Sequence, residues 1–120
     1  MITKEQALGF LQNTFIDFTL INGDTVKLTL AFALLKELES RNPDLASRYF
    51  KVTSKDQKAM TEMDVLTIVY AAYVCANLNN PEMLDEEVFT ILLGHDRFAI
   101  RGVMNRLTSG KKKPGSVTHS

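Results

Sequence analysis

The stretch VLTIVYAAYVCANL, residues 65–78, decides the fold. It follows neither a period of two nor a clean period of 3.6, because nearly every position is apolar. A helix that is apolar all round is either a membrane span or the buried centre of a domain. This one is too short for a bilayer and is interrupted by Thr67 and two tyrosines. It therefore predicts a central buried helix over 62–78. Thr61 and Asp64 stand three apart as a capping pair at its start, and Asn79-Asn80-Pro81 stops it.

A hairpin comes earlier, in FIDFTLINGDTVKLTL, residues 15–30. Alternation runs on both sides of Asn22-Gly23. A two-residue turn would set Phe18 opposite Lys27, and the apolar faces would disagree. A three-residue loop, 21–23, sets Phe18 opposite Val26 and Ile16 opposite Leu28. Such a loop needs positive φ at its last position, so the pattern predicts a type I turn closed by a bulge at Gly23. A lone hairpin is marginal and must lie on helices.

The remaining segments read as helices. In 30–41, Leu30, Leu34 and Leu38 form a stripe widened by Ala31 and Leu35. Asn42 caps and Pro43 opens the helix 43–51, whose inner face is Leu45, Ala46, Tyr49 and Phe50. KVTSKDQKAM, 51–60, reads as a loop. Asp85 caps 85–93, with Glu86 and Glu87 at the positive end of the helix dipole, Val88, Phe89 and Leu92 facing inward, and Gly94 as the stop. Asp96 caps 97–107, whose stripe is Ile100, Val103, Met104 and Leu107. The fold class is α+β, mainly α: an N-terminal hairpin, 15–29, on a bundle of four to five helices. One globular domain spans 15–107. Residues 1–14 form a short helix opened by Thr3 and Gln6, or order only on docking. Residues 108–120 have no periodicity and read as a disordered basic tail.

Composition bounds the function. The 120 residues are 45% hydrophobic and 23% charged, with a net charge of zero and one cysteine. That suits one soluble domain in a reducing compartment with no intrachain disulfide. No signal peptide is visible, so the expected location is cytoplasmic. His95, Asp96, Cys75 and the cluster Asp85-Glu86-Glu87 lack zinc-type spacing. Glu86 and Glu87 point about 100° apart on a helix and make no facing acid–base pair. Cys75 has no activating base in its sequence neighbourhood, and there is no glycine-rich phosphate loop. No catalytic residue, cofactor site or metal site is expected. Arg97, Arg101, Arg106, Lys111, Lys112 and Lys113 make the end of the chain basic, which leaves a small nucleic-acid-associated or regulatory helical protein as the alternative reading. The neutral folded part argues against nucleic acid as a partner.

Taken in order, INGDTVKLTLAFALLKELE (21–39), LTIVYAAYVCAN (66–77), MLDEEVFTILL (83–93) and the Lys-rich ending resemble the tail assembly chaperones of long-tailed bacteriophages. That family is encoded just upstream of the tape measure protein, and the resemblance spans about 15–113. It implies a non-catalytic protein that coats and solubilises the helical tape measure protein, helps recruit the tail tube protein, self-associates, works in the cytoplasm of the infected host and is absent from the mature virion. Many members are made in two forms by a programmed ribosomal frameshift. Gly110, Lys111, Lys112 and Lys113 are the residues a slippery run of A would encode, which would make this chain the short form. For a partner surface, the last stripe, Ile100, Val103, Met104 and Leu107, is the expected contact, with the outer hairpin face beside it.

Overall fold

The computed structural model describes residues 1–109. Helix α1 is Lys4–Gly9, followed by a 3-10 turn at Phe10–Thr14. Strands β1 (Ile16–Thr19) and β2 (Thr25–Leu28) make the antiparallel hairpin. The helices α2 (Phe32–Arg41), α3 (Pro43–Thr53), α4 (Glu62–Ala76), α5 (Glu86–Leu93) and α6 (Arg97–Ser109) complete the α+β, mainly helical architecture.

The hairpin has the register the alternation requires, with Ile16 opposite Leu28 and Phe18 opposite Val26. Gly23 donates to the Leu20 carbonyl at 2.9 Å, Leu20 donates to the Asp24 carbonyl at 2.7 Å, and Gly23 has a φ of 95°. The loop is therefore three residues long, and its last residue has the backbone that glycine adopts without strain.

α4 is the centre. Val65 and every residue from Ile68 to Cys75 are buried, and β2, α2, α3, α5 and α6 all pack against it. Paired alanines let the strand come close: the Thr29 N–H donates to the Ala72 carbonyl at 3.1 Å, and Ala71 and Ala72 are fully enclosed. A larger side chain here would hold the hairpin off the helix. The capping box at Thr61 and Asp64 is formed on both sides. At the far end, Tyr70 and Tyr73 pack with Phe89, and their hydroxyls grip one residue of the following loop. Tyr70 donates to the Leu84 carbonyl at 3.2 Å, and Leu84 donates its N–H to Tyr73 at 2.8 Å. Both backbone groups of Leu84 are thereby satisfied in a part-buried place.

Several expected boundaries move. α2 starts at Phe32, not at 30, because Thr29 and Leu30 are still committed to the hairpin exit; its N-cap, Ala31, makes no side-chain capping bond. α3 runs to Thr53, and a 3-10 turn occupies Gln57–Ala59, so 51–60 is only partly loop. In α3, Phe50 is exposed, not on the inner face as expected, and Val52, expected in the loop, is buried in the helix's last turn. In α5, Leu93 joins Phe89 in the core, Leu92 is half-buried and Val88 is exposed. α4 stops at Ala76, two residues early, where the Asn77 side chain donates to the Tyr73 carbonyl at 2.7 Å. α6 continues to Ser109, past the expected limit of 107. Residues 110–120 of the expected tail lie outside the described residues.

Candidate partner-binding surface

The expected contact stripe is not a surface. Ile100, Val103, Met104 and Leu107 are each 7% exposed or less and belong to the same core cluster as α4. α6 packs on α4 and β1, so its apolar face closes the domain. A stripe at helical spacing has the same sequence signature whether it faces a core or a partner. The outer hairpin face is polar instead: Lys27 pairs with Asp17 at 2.7 Å, and the Thr19 and Thr25 hydroxyls meet at 3.1 Å. Neither feature leaves an open apolar surface.

The apolar surface that is open lies elsewhere. Phe98 is 93% exposed and Phe32 86% exposed, and Ile21, Met63 and Ile91 are also largely uncovered. Two contacts gather part of this set at one end of the molecule. Arg97 pairs with Glu62 at 2.5 Å, which holds the first turn of α6, carrying Phe98, to the first turn of α4, carrying Met63. The Ile21 N–H donates to the Leu92 carbonyl at 2.9 Å, which seats the hairpin turn on the end of α5. Gly94 makes room there, since a Cβ at that position would stand 2.7 Å from the Ile21 side chain.

At the other end is an open groove of about 1270 Å³. One wall is α1, through Lys4 and Leu8. The other is α2, through Ala33, Leu34, Lys36 and Glu39, and the end of α4 with Leu78 forms its floor. Phe32, the first residue of α2, precedes the lining residue Ala33 and is itself outside the lining. The groove's lining mixes apolar side chains with charged ones and with Asn77, Asn79 and Asn80.

Most of the groups considered for other chemistry are committed to structure. Asp85 and Asp96 cap α5 and α6 by accepting from Val88 and Ala99. Glu86 pairs with Arg48. Burial pushes the Cys75 thiol up to about 12, which disfavours the thiolate a nucleophile requires. His95 is exposed. Among the described residues no group of three or more His, Cys, Asp and Glu side chains could hold a metal ion. The basic end loses one cation to the Arg97–Glu62 pair. Lys111, Lys112 and Lys113, with Gly110, lie outside the described residues. Among those described, no helix is long and apolar enough to cross a membrane.

Sequence reasoning passed over Phe32, Phe98 and the groove. Phe98 carried a usable signal, since it falls off the stripe of Ile100, Val103, Met104 and Leu107. The groove carried none, because it depends on where α1 sits.

No protein-family model, curated protein or solved structure matches the chain.

Proposed function

We propose that this protein is a non-catalytic tail assembly chaperone of a long-tailed bacteriophage. It binds the tape measure protein and keeps it soluble during tail morphogenesis in the host cytoplasm, with the tail tube protein as a second partner, and it does not remain in the virion. The observation that carries the reading is the pair of nearly fully exposed phenylalanines, Phe32 and Phe98, on a domain whose core is already closed. Large apolar side chains left outside a complete core are what a binder of apolar helical segments needs. The order of hairpin, apolar helix and acidic-capped helix supports the same reading through its resemblance to that family. The contact surface moves from the buried α6 stripe to the groove between α1 and α2 and to Phe32 and Phe98.

Co-expression with the tape measure protein encoded downstream tests this. The expected result is a soluble complex that co-purifies, and weaker capture by Phe32→Glu and Phe98→Glu variants that melt like the parent. A tape measure protein that stays insoluble, with no complex recovered, rejects the reading.

A further inference from the structure

We propose that residues 1–14 are a strap that closes over the groove. α1 is a finished helix, with the Thr3 hydroxyl accepting from the Gln6 N–H at 3.1 Å and the Gln6 side chain accepting from the Thr3 N–H at 2.9 Å. Yet it buries no residue, and its main packing is on the 3-10 turn that follows it. A six-residue helix is far below the length that is stable alone in water, so α1 requires a surface. Its groove-facing residues, Lys4 and Leu8, are four apart and share one helical face. Ile2 and Phe10 on the same arm are exposed as well.

The arm is anchored at one end only. Thr14 donates its hydroxyl hydrogen to the Leu11 carbonyl at 2.7 Å, so in its 2.6 Å contact with Thr29 the Thr29 hydroxyl is the donor. Thr29 is fully buried and tied to α4 through Ala72, which makes this root part of the core. The last residue of α1 is Gly9, where the chain passes from α to 3-10 and a Cβ would have no neighbouring atom within 4 Å. Rotation about that point carries Leu8 toward Ala33, Leu34 and Leu78. The charges agree with such a closure. Glu37 is engaged by Arg41, while Lys4 on the arm and Glu39 on the facing wall have no ion-pair partner among the described residues. Closure brings these opposite charges together. If the groove receives the tape measure protein, a point that rests on the function proposed above, the closed strap and that partner compete for the same surface.

Disulfide trapping in the full chain tests the closure, with Cys75→Ala as background. Leu8→Cys combined with Ala33→Cys should form an intramolecular disulfide well ahead of Ala7→Cys combined with Ala33→Cys, which starts from a residue outside the groove lining. Lys4→Glu should slow trapping about threefold, the scale of an exposed ion pair, and Lys4→Glu with Glu39→Lys should restore it. Equal trapping of the two cysteine pairs, or disulfides formed only between two molecules, overturns the strap. No partner is present in this experiment. Its failure leaves tape measure binding untouched, and failure of that binding leaves the strap untouched.

Discussion

In α1, Thr3 and Gln6 exchange backbone and side-chain hydrogen bonds; in α4, Thr61 and Asp64 do the same. The two helices start with one device and differ in everything that follows. α4 buries nine residues, while α1 buries none. A cap fixes where a helix begins, but tertiary contact decides what that helix contributes to stability. Tests that strike α4 and its neighbours should therefore unfold the domain, and tests that strike α1 should leave it standing.

The largest effect is expected where α4 meets α5. Phe89 is fully buried, with its ring 4.5 Å from that of Tyr73 and 5.5 Å from that of Tyr70. Phe89→Ala should cost about 3–5 kcal/mol in urea or thermal unfolding. A loss under about 1 kcal/mol would mean that α5 is as peripheral as α1. Next is Tyr73→Phe, which keeps the ring and removes the acceptor for the Leu84 N–H. It should cost about 1–2 kcal/mol, because a part-buried donor is left without its partner. Tyr70→Phe removes only a donor to the Leu84 carbonyl and should cost less.

The same contrast shows how much could be read from the chain. The period of two placed the hairpin and its register, and the period of 3.6 placed the helices, because these patterns are local. The all-apolar run 65–78 showed that α4 is central, since a helix with no polar face has nowhere else to go. The side of each outer helix that turns inward was less legible. Phe50 was expected inside and is exposed, because α3 runs on to Thr53 and Val52, read as loop, takes a core position in the added turn. The contact surface was the least legible. The stripe on α6 looked available until α4 and β1 covered it, and the groove depends on the placement of an arm that buries nothing.

Alkaline pH separates core from arm without changing the core's shape. The Cys75 thiol is pushed from an ordinary value of 9.0 up to about 12 by burial. Above pH 9 the unfolded chain releases this proton and the folded one retains it, so stability should fall as pH rises from about 9 toward 12. The slope approaches about 1.4 kcal/mol per pH unit for this group. Burial also raises the Tyr49 and Tyr70 phenols, which add to the decline at higher pH. In Cys75→Ala the part of the slope that begins near pH 9 should vanish. An unchanged slope in urea titrations at pH 8 to 10 would place its origin in a group other than Cys75. Acid pH works in the opposite direction at the start of the same helix. The hydrogen bond from Lys55, then the Thr61 N–H, holds the Asp64 carboxyl below its usual range. Its contribution is therefore present above the ordinary carboxylate value and is lost as pH falls through the lower, folded value.

The smallest effects make the most direct comparison of the two helices, because the same substitution can be made in both caps. Thr61→Ala deletes an N-cap of a helix that the whole domain surrounds, and it should cost about 1 kcal/mol in global unfolding. Thr3→Ala deletes the equivalent cap of α1. Locally the loss is the same, so amide exchange of residues 4–9 should accelerate by about fivefold, the factor that such a cap energy sets for a helix opening on its own. Globally the midpoint should not move, since no buried residue depends on α1. If Thr3→Ala instead lowered global stability as much as Thr61→Ala, α1 would have to be packed on the body for most of the time in the free protein. The strap would then be closed at rest, and the open groove would be its minor state.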